Sequence, residues 1–270
     1  MNGDFKKKKR YGQNFLTNPA IPNRIAAESG ITAEDGVIEI GPGFGILTKE
    51  LCSIAKKVVC IEIDSELIGI LSEKLEGINN VKVINADVLK TDIASLIKDE
   101  FEGMDVCVCA NIPYYITSDI VMSLLEGRYG LKSVTVMVQK EVADRFTSKP
   151  GTEGYGAVTA AINYYASAKK LFTVKAGSFD PKPKVDSAVI HFDVYKQPRV
   201  KVNDEQTLFK VIKAAFSQRR KTLANSLYSA FSNGRSKEDI TSLLGQCGLS
   251  PSVRPEELDI EQFAMIADKI

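Results

Sequence analysis

Short apolar, β-branched runs alternate with amphipathic stretches through the first two thirds of the chain, the rhythm of a parallel sheet wound with helices. The pattern predicts strands at Val37–Ile40, Val58–Ile63, Val81–Ile84, Val106–Ala110 and Ser133–Val138, and helices near Pro19–Ser29, Gly45–Ile54, Ser65–Leu75, Ser118–Leu125 and Lys140–Thr147. Thr117 or Ser118 suits the N-cap of the fourth helix, where a hydroxyl satisfies an orphan amide. Beyond a glycine-rich segment, Pro150 to Gly156, a helical run extends to about Ala166. Strand-like runs follow at Leu171–Val174 and Ser187–Val194, suited to an antiparallel edge on the sheet. From about Gln197 the periodicity is helical throughout, at Gln206–Phe216, Lys221–Phe231, Lys237–Cys247 and Pro255–Ile270. The expected architecture is α/β: a Rossmann-like sheet with helices on both faces over residues 1–196, and a small C-terminal helical domain over 197–270.

Composition narrows the class. At 270 residues, 44% hydrophobic and 26% charged, the chain is long enough for a substantial core and has no low-complexity tract. It holds no apolar run long enough to span a bilayer, and the basic stretch Met1 to Arg10 is not followed by the apolar segment of a secretory signal. A cytoplasmic monomer with no membrane partner is expected. The five cysteines, Cys52, Cys60, Cys107, Cys109 and Cys247, form no CxxC pair, so neither a disulfide framework nor a metal site is expected.

Charge is distributed unevenly behind a net value of +1. Residues 1 to 10 hold five bases and one acid, residues 181 to 235 hold eleven bases and four acids, and residues 11 to 180 hold sixteen bases against twenty-two acids. Single lysines usually solvate a surface. The two clusters Lys6 to Arg10 and Arg219-Arg220-Lys221 point instead to a polyanionic partner such as RNA.

Chemistry concentrates at the ends of the predicted strands. Val37-Ile-Glu-Ile-Gly-Pro-Gly-Phe-Gly45 carries a strand into closely spaced glycines and then a helix, which lets backbone approach a ligand. Gly41, Gly43 and Gly45 form GxGxG rather than GxGxxG, so a pyrophosphate cradle, and with it a nicotinamide dehydrogenase, is disfavoured. Glu62 ends the second strand, where a carboxylate accepts from both hydroxyls of a ribose, and Asp87 after the third suits an adenine amine. Each acid alone reads equally as a helix cap or surface charge; the ordered trio is harder to dismiss. Asn111-Ile-Pro-Tyr114 follows the apolar fourth strand. There Asn111 supplies a carbonyl acceptor, Pro113 fixes the turn so that the Ile112 carbonyl converges on the same amine, and Tyr114 stacks on a base. Phe179, in Ser178-Phe-Asp-Pro-Lys-Pro-Lys-Val185, is the candidate second stacking wall, although an aromatic there also fits a core gap. Accepting hydrogen bonds from an adenine amine raises electron density on its nitrogen, so attack on a methyl sulfonium needs no strong base. The lone histidine, His191, reads as structural.

On these motifs the chain resembles the ribosomal RNA adenine N6-dimethyltransferases of the KsgA/RsmA family. The likeness extends to Tyr11-Gly-Gln-Asn-Phe-Leu16, Gln139-Lys-Glu-Val-Ala-Asp-Arg145, Phe179-Asp-Pro-Lys-Pro-Lys-Val-Asp-Ser187 and Phe216-Ser-Gln-Arg-Arg-Lys-Thr-Leu223. It implies S-adenosyl-L-methionine as methyl donor, with Asn14 and Leu16 closing over it. Gly41 and Glu62 match the loop and ribose contacts, Asp87 the adenine-side acid, and Asn111 the catalytic-loop asparagine; Gly43 and Asn111 are expected among the cofactor-binding residues as well. The implied substrate is 16S rRNA within the small ribosomal subunit, dimethylated on two adjacent adenosines of a 3′-terminal hairpin loop during ribosome biogenesis. Tyr115 stands where many relatives carry asparagine, and Ile112 where they carry leucine. The Erm enzymes, which methylate 23S rRNA, share the fold and the Asn-Ile-Pro-Tyr motif, and a noncatalytic RNA-binding assembly factor is an alternative of another class.

Overall fold

The computed structural model describes residues 14–218, 221–232 and 234–270; Gln13, Arg219 and Arg220, named above, lie outside them, as does the basic stretch Lys6 to Arg10. Cα packing divides the chain into two compact units, residues 1–143 with 169–194, and residues 144–168 with 195–270. This differs from a single cut after residue 196.

In the first unit, β1 (Phe15–Leu16) and α1 (Ala20–Glu28) precede the strands β2 (Gly36–Ile40), β3 (Lys57–Glu62), β4 (Val81–Asn85), β5 (Val106–Asn111) and β6 (Ser133–Gln139). Between them run α2 (Ile46–Ile54), α3 (Ser65–Lys74), α4 (Ile93–Glu100) and α5 (Thr117–Glu126). Further along the chain come α6 (Lys140–Phe146), the second unit's α7 (Ala157–Tyr165), and β7 (Ala166–Val174), then β8 (Phe179–Asp180) and β9 (Ser187–Val194) back in the first unit. The seven-stranded sheet runs β4-β3-β2-β5-β6-β9-β7. Pairs from β4 to β6 are parallel, and β9 is antiparallel to β6. Because the order reverses between β2 and β5, right-handed crossovers put helices on both faces.

Burial follows the composition of each strand. β2 is buried along its whole length and β5 over Val106–Ala110, as expected of β-branched runs covered on both sides. α4 was not foreseen from the pattern: it is short, and its signal is Asp92, whose carboxylate accepts from the Ser95 amide at 3.1 Å. β7 begins at Ala166, directly after α7, rather than at Leu171. The N-cap of α5 also differs. Ile116 holds that position without a side-chain cap, and the Thr117 hydroxyl donates back to the carbonyls of Pro113 and Tyr114, 3.4 Å from each.

The second unit is helical: α7 with α8 (Glu205–Ala215), α9 (Leu223–Phe231), α10 (Lys237–Gln246) and α11 (Ile260–Lys269). Residues 144–168 belong to it because their aromatics fill its core. Tyr164 donates to the Glu205 carboxylate at 2.8 Å, Tyr165 stacks on Phe209 at 5.7 Å, and Tyr155 meets Phe216 edge-on at 6.1 Å. Asp204, Ser236 and Asp259 cap α8, α10 and α11 with their side chains. Among the described residues no helix is long and apolar enough to cross a membrane.

Candidate active site

Register brings the predicted residues to one edge. Ile40 pairs with Ile61 on one side and Ala110 on the other, so Gly41, Glu62 and Asn111 leave three adjacent parallel strands at one level. A cavity opens there, beside the point where strand order reverses. Asn14, Leu16, Gly41, Gly43, Glu62, Asp87 and the whole run Asn111 to Tyr114 line it.

The glycine turn is made of backbone that other residues resist. Gly43 has φ +57°, and a Cβ added there would lie 3.2 Å from the Phe15 ring; at Gly45, with φ +75°, it would lie 2.7 Å from a Leu71 methyl. The turn therefore draws close to what lies above it and brings the start of α2 against Leu71 of α3. Glu62 closes the same turn from β3. Its Oε2 accepts from the Gly43 amide at 3.2 Å and its Oε1 from the Asp64 amide at 2.9 Å. Burial raises its pKa, the Asp64 and Gly43 amides pull it down, and the Asp64 charge raises it. Each oxygen keeps a second lone pair, the acceptor pattern a vicinal diol requires.

Glu39 is a site residue the sequence reading missed. It lines the cavity from within β2, 1% exposed, and accepts from the Cys60 thiol at 3.4 Å. Burial pushes its pKa up to about 7, offset by the hydrogen bond from Cys60 and reinforced by the charge of Glu62. The signal was an acid inside the otherwise apolar run Val37 to Ile40. Asp87 caps the turn Val88–Lys90, accepting from the Leu89 amide at 3.1 Å, with Lys90 Nζ 3.7 Å away. Asn85 ties β4 to β3 by donating to the Glu62 carbonyl at 2.7 Å.

Asn111 is oriented from the other end of the described chain. Its Nδ2 donates to the Asn14 carbonyl at 3.2 Å, which leaves Oδ1 as the acceptor without a donor among the described residues. The Ile112 amide is held by the Met137 carbonyl of β6 at 3.3 Å, and Pro113 leads into the turn Tyr114–Ile116. Tyr114 is half-buried, its hydroxyl 2.7 Å from Ser187 Oγ on β9; burial raises its pKa. Tyr115, next in the turn, is 64% exposed.

Phe179 departs from the expectation. It is 4% exposed, does not line the cavity, and sits in the core cluster with Leu16, Met137 and Val189. β8 pairs antiparallel with β1, Leu16 opposite Phe179, and this pairing turns the ring inward to the core rather than toward a base. His191 is structural as read: it is buried, with Nδ1 2.8 Å from Thr135 Oγ1 and Nε2 3.0 Å from Asp193. Cys107 and Cys109 are buried free thiols.

Sheet order, glycine turn and strand-end acids together define a Rossmann-like methyltransferase. The ribosomal RNA adenine dimethylase family matches residues 4–269, and the chain belongs to it. It is 46% identical over 268 residues to the ribosomal RNA small subunit methyltransferase A of Geobacillus sp. (strain WCH70), covering 98% of this chain and 92% of that protein. Identity to the protein of the same description in Bacillus cereus (strain B4264) is 46% over 269 residues, with the same coverage. Among solved structures it is similar to a dimethyladenosine transferase from Plasmodium falciparum (28% identity, TM-score 0.79, 93% of this chain and 95% of that one). The 23S rRNA methyltransferase ErmE is similar at 26% identity and TM-score 0.74, over 95% of this chain and 99% of that one.

Proposed function

We propose that this protein transfers methyl groups from S-adenosyl-L-methionine to the N6 amines of two adjacent adenosines in a 3′-terminal hairpin loop of small-subunit 16S rRNA. The observation that carries the reading is Asn111 Oδ1: an acceptor with its amide end already engaged, at the level of Gly41 and Glu62 in one cavity. The cofactor fits the residues present. Glu62 offers lone pairs to the ribose hydroxyls, Asp87 to the adenine amine, and Gly41 and Gly43 the close backbone, while Asn14 and Leu16 form the cover. Bound there, the cofactor supplies an electrophilic methyl group.

What the chain does is orient the acceptor. Asn111 Oδ1, with the Ile112 carbonyl as second acceptor, takes the amine hydrogens and holds the nitrogen lone pair out of conjugation with the ring. Transfer of the methyl group to the amine would leave the cofactor's sulfur as a neutral thioether and release one amine proton to water, so no residue need act as a strong base. With Phe179 in the core, Tyr114 is the aromatic face that flanks the target base, its ring fixed by Ser187. We assign this action to a monomer in the cytoplasm, where ribosomal subunits are assembled. The helical unit, with Arg219, Arg220 and Lys221, is assigned to the RNA.

Incubation with labelled cofactor and either undermethylated 30S particles or protein-free 23S rRNA tests this. Dimethyladenosine on the small subunit is the expected product. Methylation of 23S rRNA alone would identify an Erm-type enzyme, and binding of 30S particles without transfer a noncatalytic assembly factor.

A further inference from the structure

Of the large apolar side chains that stand exposed among the described residues, Tyr115 is the most exposed, and it lies on the rim of the cavity just described. Among the described residues it makes no hydrogen bond and no ring contact, in contrast to Tyr114, whose hydroxyl is held by Ser187. The two tyrosines begin a 3₁₀ turn, in which successive side chains point roughly 120° apart. Fixing Tyr114 on the cavity wall therefore aims Tyr115 in a different direction along the same rim. A nucleotide that turns its base into a pocket gives up stacking with its neighbour, and the neighbouring base is left needing a new π-face. An exposed aromatic ring is such a face for any base.

We propose that Tyr115 is a positioning residue: its ring stacks on the adenosine adjacent to the one whose amine Asn111 holds, and the two adenosines exchange these places between methylations. The proposal rests on the adenine-methylating function given above. It assigns to Tyr115 a contact with RNA and none with the cofactor.

Tyr115→Leu and Tyr115→Phe, compared with wild type on undermethylated 30S particles, test it. Because the side chain is exposed, Tyr115→Leu should unfold at the same temperature as wild type. Its KM for 30S particles should rise roughly tenfold, the scale of one lost base–aromatic stack, with kcat within about twofold and cofactor Kd unchanged. Tyr115→Phe should behave as wild type. Mass spectrometry of the modified fragment should show singly modified adenosine pairs accumulating only with Tyr115→Leu. An unchanged KM and product distribution in Tyr115→Leu overturns the proposal, as does a cofactor Kd that rises along with KM, or a loss in Tyr115→Phe equal to that in Tyr115→Leu. If wild type methylates no adenine, the functional reading itself falls and takes this inference with it; if wild type is active and Tyr115→Leu matches it, only the role of Tyr115 falls.

Discussion

The two halves of the cavity are built by different means. On one side, the turn Gly41 to Gly45 offers backbone, kept open by left-handed glycines and closed by a buried carboxylate that accepts from the Gly43 amide. On the other, Asn111 and Tyr114 offer side chains, each fixed by a distant partner, the Asn14 carbonyl and the Ser187 hydroxyl. A backbone cradle binds the same group in every turnover. A side-chain acceptor oriented by a single hydrogen bond works on the changing charge of a reacting nitrogen, so the halves should fail in different kinetic terms.

The most severe expected failure is on the side-chain half. Asn111→Ala should lower kcat by about 10²- to 10³-fold, the cost of a lost transition-state acceptor, while calorimetric cofactor Kd stays near wild type. Loss of cofactor binding with normal turnover at saturation would reverse the assignment of the two halves. Next is Glu39, on the backbone half. Its folded pKa of about 7 lies above the ordinary 4.5, so the folded protein binds this proton more tightly than the unfolded chain. The stability it contributes is complete below pH 4.5 and is lost as pH rises through 7. Its upper limit is roughly 3 kcal/mol at 1.36 kcal/mol per pKa unit. Melting temperatures at pH 5.5 and 8 should therefore fall more steeply for wild type than for Glu39→Gln, and parallel slopes would remove Glu39 as the cause.

Glu62→Ala should raise cofactor Kd by roughly 30-fold, since two amides lose their charged acceptor and the ribose its partner, with kcat at saturating cofactor little altered. A fall in kcat at constant Kd would place Glu62 with the chemistry instead. The smallest change is expected of Tyr114→Phe, which keeps the ring and frees Ser187. About 1 kcal/mol, near fivefold in kcat/KM, is the scale of one hydrogen bond; a loss of 100-fold would mean that the hydroxyl takes part in the reaction.

The backbone half was the more legible in sequence. Glycine spacing, and acids placed after successive apolar strands, are local signals, and parallel register carries them to a common edge. The side-chain half depends on contacts across long stretches of chain: Asn14 with Asn111, Tyr114 with Ser187, Leu16 with Phe179. Asn111 and Tyr114 were found because their motif is compact. What orients them was not, and Phe179 was misjudged because two prolines beside an aromatic do not tell which way a two-residue strand turns its ring. Glu39 escaped because one acid in an apolar strand breaks the strand's pattern without naming its purpose. The grouping of residues 144–168 with the helical unit rests on Tyr155 and Tyr164 meeting Phe216 and Glu205, partners that periodicity does not reveal.

The shared register of β2, β3 and β5 has a consequence for inheritance. Because side chains alternate faces along a strand, inserting or deleting one codon within Val106–Asn111 would rotate Asn111 away from the level of Gly41 or slide it one residue past. Exchanges of one apolar residue for another in these strands are compatible with the site, whereas changes in their length are not. Lineages of this protein should therefore vary freely in the length of their surface loops and hold the number of residues in these three strands constant.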